Sequence, residues 1–370
     1  MPRRKEIAGV PGAESDRGMV RMMILSAAET LFPGYFALTM ATGVVSIACA
    51  LLGMRQIAWA LLVINWIIYP SLWGLTLVRM GAFRRQLASD ISDHQRAPGF
   101  FTLVAGTCVL GTQSLVVAEA RIVGTMLWWF GLSLWLVVMY GFFTAVTIRA
   151  RKPSLAAGIN GAWLIGAVAT QSIVVLRGAL DAGTTPAEPI QFIALAMFMI
   201  GSMLYLAIIP LIFYRLTFVR LTSQDFSPPY WINMGAVAIS TLAGATLILR
   251  ARTWPLIEPF VPFLRGFTVF FWSVATWWIP FLFALMVWRY LWKRDRLAYE
   301  PALWGMVFPL GMYTTSTLQL SSALGWDFLQ VVPRIVIYVA LIAWLATMTG
   351  LVRHVLRSAL TIRTRIREAG

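Results

Sequence analysis

The sequence predicts an all-α integral membrane protein of ten transmembrane helices, paired as five helical hairpins, with odd helices lining a central pore and even helices outside. Three observations carry that prediction. Apolar runs of about 20 residues recur along the chain, each able to cross a hydrocarbon core of about 30 Å. Hydrophobic residues make up 59% of the chain and charged residues 12%, well outside the balance of soluble domains. A short motif of small and hydroxyl residues also returns at roughly the spacing of one hairpin.

The elements follow in order. Residues 1–20 are polar, basic and carry Pro and Gly, and read as a disordered tail. The apolar run 22–28 ends at Glu29 without a cleavage site, so it reads as an interfacial lead-in rather than a signal peptide. Spans are expected at 33–53, 57–77, 99–119, 123–143, 158–176, 189–213, 231–249, 266–287, 303–324 and 331–350. Residues 1–30 thus form an N-terminal tail, 31–351 the membrane domain and 352–370 a basic C-terminal tail.

Charge sets the orientation. Of 30 Lys and Arg residues, only Arg55, Arg121, Arg177, Arg250, Arg252, Arg265 and Arg334 fall on one side; the rest lie in the tails and in the loops after even spans. The positive-inside rule then places both termini in the cytoplasm of an inner or plasma membrane protein. The net charge of +15 is spread over short loops, which indicates topology control and anionic lipid headgroups as partners, not nucleic acid. Cys49 and Cys108 fall inside apolar spans and read as small buried hydrophobes rather than as a disulfide or metal site.

The first and third spans are about twice as rich in Gly, Ala, Ser and Thr as the second and fourth, and small residues allow close helix approach or leave a lumen. Most tryptophans lie in even spans, as suits a lipid-facing outer wall. Gly166-Ala-Val-Ala-Thr-Gln-Ser172 returns as Gly235-Ala-Val-Ala-Ile-Ser-Thr241 and, more loosely, as Gly311-Met-Tyr-Thr-Thr-Ser-Thr317. All copies lie in odd spans, which run in one direction. The repeat is therefore parallel, about an axis along the membrane normal.

These patterns nominate an axis lining. It comprises Thr39, Thr42, Gly43 and Ser46 in the first span, and Gly106, Thr112, Gln113 and Ser114 in the third. The fifth adds Gly166, Thr170 and Gln171; the seventh Gly235 and Ser240; the ninth Phe308, Gly311, Thr315 and Ser322. A single membrane Ser or Thr often only bonds the carbonyl four residues back; the recurrence over several odd spans argues for a shared role. No Asp, Glu, Lys, Arg or His lies near the middle of a span. A proton relay or cation path needs ionisable groups there, so a neutral, hydroxyl-lined lumen is expected to pass anions. Arg250, Arg252, Arg265 and Arg334 could draw anions to the outer mouth or serve as interfacial anchors. Pro309 frees a carbonyl and kinks its helix, which would push Phe308 toward the axis.

Phe32-Pro-Gly-Tyr-Phe-Ala-Leu-Thr-Met-Ala-Thr-Gly-Val-Val-Ser46 resembles the first-helix signature of the tellurite-resistance/dicarboxylate transporter family. Pro98-Gly-Phe-Phe-Thr-Leu-Val-Ala-Gly-Thr-Cys-Val-Leu-Gly111 resembles its third helix and Trp304-Gly-Met-Val-Phe-Pro-Leu-Gly311 its ninth. The resemblance implies five quasi-symmetric hairpins around an anion pore, usually in a homotrimer. It also implies a ninth-helix phenylalanine occluding the pore, matched here by Phe308. Family substrates include chloride, nitrate, malate and other C4-dicarboxylates, sulfite and tellurite.

The function expected is a channel or transporter for small inorganic or carboxylate anions, gated by Phe308. The alternative is a proton-coupled C4-dicarboxylate, tellurite or sulfite exporter on the same scaffold. An enzyme would need a nucleophile–base pair, a metal cluster or paired carboxylates at membrane depth; His94 and His354 lie outside the spans. No cofactor or metal is expected.

Overall fold

A computed structural model of the chain describes residues 11–369, and among these no strand is present. The helices are α1 (Pro11–Glu29), α2 (Ala37–Leu51), α3 (Arg55–Ala82), α4 (Arg84–Ser92), α5 (Phe101–Ala118), α6 (Arg121–Ile148), α7 (Leu155–Gly158), α8 (Ile165–Leu180), α9 (Glu188–Phe218), α10 (Ile232–Arg250), α11 (Val261–Val287), α12 (Trp304–Leu324) and α13 (Val331–Ala369). The ten expected spans correspond to α2, α3, α5, α6, α8, α9, α10, α11, α12 and α13. Nine of them are both long and apolar enough to cross a membrane. The tenth, α12, has 21 residues and is diluted by its Thr and Ser, which its buried position shields from lipid.

One expectation is corrected at the N-terminus. Residues 11–20, read as disordered, form the first half of α1. Pro11 opens the helix where a missing N–H costs nothing, and the Ala, Glu, Met and Arg that follow are helix formers. Residues 1–10 lie outside the described residues. The basic C-terminal segment continues α13 as helix to Ala369.

Each inner helix is entered through a tight 3₁₀ turn: Pro33–Phe36, Ala97–Phe100, Gly161–Leu164, Pro228–Trp231 and Pro301–Leu303. Pro or Gly in these turns fixes the backbone where α-helical bonding has not begun. The five turns touch in sequence and close on themselves, the last meeting the first. The approach is backbone on backbone: a Cβ on Gly99 would lie 2.7 Å from the Gly34 nitrogen, and one on Gly161 would overlap the Pro229 carbonyl.

Above this ring the inner helices repeat the closure, with α2 packing on α5, α5 on α8, α8 on α10, α10 on α12 and α12 on α2. In the most apolar stretches of α2, α5, α8 and α10 with their lead-in turns, 78–94% of residues are buried, against 22–50% for the outer helices. Each outer helix packs on its own hairpin partner and leans on the next inner helix round the ring.

The tryptophans divide between two roles. Trp129, Trp277 and Trp292 face outward as a lipid belt would require, but Trp128, Trp135 and Trp278 are buried. At four of the five junctions an outer-helix indole N–H donates to a hydroxyl on the following inner helix. Trp66 bonds Ser114 at 3.1 Å, Trp135 Thr170 at 2.8 Å, Trp272 Thr317 at 3.0 Å and Trp344 Thr42 at 3.0 Å. In hydrocarbon an unmet indole N–H or hydroxyl is costly, so these pairs fix the outer helices in register.

Candidate functional site

The five inner helices enclose a cavity of about 230 Å³ toward their C-terminal ends, on the face away from both chain termini. Each helix contributes a stripe at helical spacing. These are Val44, Ile47 and Leu51 on α2; Val109, Thr112 and Val116 on α5; Ser172, Val175 and Ala179 on α8; Ile239, Leu242 and Thr246 on α10; and Met312, Thr315 and Gln319 on α12. Positions three and four apart share a face, and here that face is the axis.

The wall is largely aliphatic, and its hydroxyls are already engaged. Thr112, Thr246 and Thr315 donate to the carbonyls of Cys108, Leu242 and Gly311, and Ser172 donates to Ala169. The strong donors left facing the cavity are the Gln319 amide and the Arg250 guanidinium. Arg250 is the one ionisable side chain on the wall among the described residues. Its neighbour Arg177 takes Asp181 as a salt-bridge partner, and the Arg250 Nε is buried without a hydrogen bond.

The sequence-nominated residues distribute as follows. Thr112, Thr315 and Arg250 line the cavity. Arg252, Arg265 and Arg334 are exposed away from it. Thr42 and Thr170 turn outward to Trp344 and Trp135. Ser114, likewise, meets Trp66. Ser46 donates to the Ala58 carbonyl at 2.7 Å, and Gln171 donates to the Phe198 carbonyl at 3.1 Å. Gln113 accepts from Asn65 at 2.7 Å, and the same Asn65 amide donates to the carbonyl of Thr39. These contacts place the polar residues at inner–outer helix seams. Ser240 is buried and bonds its own helix at Ala236, and Ser322 is bonded to Leu318.

The glycines are contact points between helices. A Cβ on Gly43 would meet Val109 at 2.6 Å, on Gly106 the Phe36 carbonyl at 3.2 Å, on Gly166 the Phe101 ring at 3.5 Å and on Gly311 Val44 at 2.8 Å. Gly235 faces Pro309 at 2.8 Å and the Phe308 ring at 3.4 Å. Phe308 is 1% exposed and precedes Met312 by one helical turn on the same face of α12. Pro309 sits inside the helix, as expected.

The repeat seen in the sequence is not in structural register. Gly166 is the second residue of α8, Gly235 the fourth of α10 and Gly311 the eighth of α12. The two-residue offset between the first two copies turns a helical side chain by about 200°, so Gly166 meets the preceding inner helix at Phe101 while Gly235 and Gly311 meet the following one at Pro309 and Val44. The register that holds starts from the lead-in turns, whose Pro or Gly followed by an aromatic or leucine is visible in the sequence. Stepping 11, 14 and 18 residues on from Pro33, Pro98, Gly161, Pro228 and Pro301 lands on the lining of every inner helix, Val44, Ile47, Val109, Ile239 and Met312 among it, residues that polarity alone does not mark.

Comparison with known proteins bears on the same region. The family model described as voltage-dependent anion channel (SLAC1) matches residues 30–352. The chain is 36% identical over 151 residues to an uncharacterized membrane protein of Mycobacterium tuberculosis, covering 41% of this chain and 76% of that one. It is 21% identical over 332 residues to an uncharacterized transporter of Methanocaldococcus jannaschii, covering 87% and 94%. It is 23% identical over 332 residues to a sulfite efflux pump of Arthroderma otae, covering 83% and 84%.

Proposed function

Because the chain belongs to the voltage-dependent anion channel family, we propose that its axial cavity is the outer half of an anion path, with Phe308 as the plug that closes it. The observation that carries the reading is the five-stripe wall with Arg250 as its cation. An anion entering from the face opposite the termini is drawn by the Arg250 guanidinium, which shares the field of Asp181 with Arg177. It then sheds water against an aliphatic wall, with the Gln319 amide as a further donor. Passage beyond Met312 requires the Phe308 ring to move off the axis. Thr112 and Thr315, expected on the lining, are part of this wall, beside a majority of aliphatic residues.

The transported class is small inorganic or carboxylate anions. Sulfite is the first substrate to test, because one relative is a sulfite efflux pump; chloride, nitrate and C4-dicarboxylates such as malate follow. The wall holds no carboxylate or imidazole among the described lining residues, which supports passive conduction over the proton-coupled exporter. We further propose a homotrimer in the cell membrane with both termini cytoplasmic, supported by the Lys and Arg distribution and by the exposed apolar faces of the outer helices. The test is anion-replacement current in proteoliposomes. Phe308→Ala should raise currents for the permeant anions without a protonophore changing them at fixed voltage. Unchanged currents in a folded Phe308→Ala protein would remove Phe308 as the plug, and loss of flux with a protonophore would favour the coupled exporter.

A further inference from the structure

A second cavity, of about 590 Å³, lies outside the ring at the end that carries the chain termini. Its walls come from α1, α3 and α13, through Met23, Ile68, Leu72, Leu75, Leu351 and Val355. It is open toward the surroundings between two outer helices, where a bilayer would be. Its polar groups are Ser26, Thr30, Tyr35, Ser71, His354 and Ser358. Arg21 on α1 and Arg353 and Arg357 on α13 are exposed on the helices that bound it. An apolar slot with hydroxyls at its wall and cations on its bounding helices fits one class of occupant, an anionic membrane phospholipid. An acyl chain fills the slot by van der Waals packing, and the phosphate meets the arginines.

This cavity is connected to the gate helix. Tyr35 lines it, in the 3₁₀ turn that leads into α2. Tyr35 and Tyr299 face each other where the first and last lead-in turns meet. Tyr299 packs on α13, with its ring 5.6 Å from that of His354 and 3.0 Å from where a Gly350 Cβ would sit. It also accepts the indole N–H of Trp304 at 3.3 Å. Trp304 is the first residue of α12, one turn before Phe308. Tyr299 therefore ties the cavity wall on one side to the root of the Phe308 helix on the other.

We propose that the cavity between α1, α3 and α13 binds an anionic phospholipid, and that occupancy holds the Phe308 helix closed through Tyr35, Tyr299 and Trp304. The cavity exists together with a buried Phe308, and a ligand that binds this arrangement more tightly than an open one shifts the population toward it. The gating half rests on the anion-path reading above; the binding half does not.

The experiment uses the full chain in phosphatidylcholine vesicles with and without phosphatidylglycerol. Retained lipid is read by native mass spectrometry and anion flux by current. Wild type should retain phosphatidylglycerol and show flux lowered by about threefold. Ser71→Trp, which fills the slot, and the surface double variant Arg353→Gln/Arg357→Gln should both lose the lipid and the suppression. Tyr299→Phe should keep the lipid and lose the suppression. Equal lipid retention by wild type and both cavity variants overturns the site. Retention without any change of flux in a conducting wild type overturns the coupling. If no preparation conducts, the anion-path reading fails while lipid retention still decides the site. Ser71→Cys chains that crosslink to one another would assign the slot to a second copy and overturn the lipid.

Discussion

The indole nitrogen of Trp344, on the last helix, donates to the hydroxyl of Thr42 on the first membrane helix at 3.0 Å, across 302 residues of sequence. This bond closes the ring that the chain builds hairpin by hairpin. The same device occurs at three earlier junctions, so four of the hydroxyls that recur along the sequence, Thr42, Ser114, Thr170 and Thr317, each seat an outer tryptophan. Removing either partner leaves the other unmet in an apolar seam. Trp344→Phe and Thr42→Val should each lower stability by about 1 kcal/mol. The double variant should be less destabilised than the sum of the two by about 0.6 kcal/mol, the usual size of a coupling in a membrane protein. Thermal unfolding in detergent reads both.

The lead-in ring should tolerate no side chain where backbones meet. Gly161→Ala would drive a methyl into the Pro229 carbonyl, and Gly99→Ala would press on the Gly34 nitrogen. Neither neighbour is a flexible side chain that can swing aside. Both variants should fail to yield folded protein by size-exclusion chromatography. Gly81→Ala, with nothing within 4 Å, should behave as wild type.

Arg79 should hold α1 in place. It is buried, pairs with Asp90 at 2.5 Å and donates to the carbonyls of Ala28 and Glu29 at the end of α1. Asp90 also accepts from Arg96 at 2.6 Å. Arg79→Met uncaps α1 and leaves Asp90 with Arg96 as its remaining ion-pair partner, a loss of about 2 kcal/mol. The expected readout is faster hydrogen exchange over residues 21–29, with the ring helices unchanged.

Arg250 should set anion entry. Arg250→Gln should lower anion flux roughly tenfold at low salt and less at high salt, since steering is screened beyond about 10 Å at 0.1 M. Arg252→Gln, Arg265→Gln and Arg334→Gln should each change flux by less than about twofold, because exposed charges away from the cavity are screened. Equal effects at all four positions would reduce Arg250 to a general contribution to surface charge.

The fold was legible because its determinants are local. Apolar run length, loop arginines and small-residue bias each depend on the residue itself, and together they give ten spans in five hairpins. The lining was less legible because membrane helices have no polar-in, apolar-out rule. Thr42 and Thr315 look alike in sequence, yet one faces Trp344 and the other the cavity. The phase of each helix is set by its 3₁₀ entry, and a motif read two residues out of phase points to the wrong neighbour. Asn65, wholly buried on an outer helix, is not marked by its own helix for a related reason: its partners, Thr39 and Gln113, lie on two other helices.

The central claim is that the axis of the five-helix ring is the anion path, and thiol accessibility tests it most directly. In a Phe308→Ala background, Thr315→Cys and Thr42→Cys are compared, the two native cysteines being buried. A charged methanethiosulfonate added from the face opposite the termini should block current through Thr315→Cys and leave Thr42→Cys unaffected. Block at Thr42→Cys with none at Thr315→Cys would place the path elsewhere in the molecule.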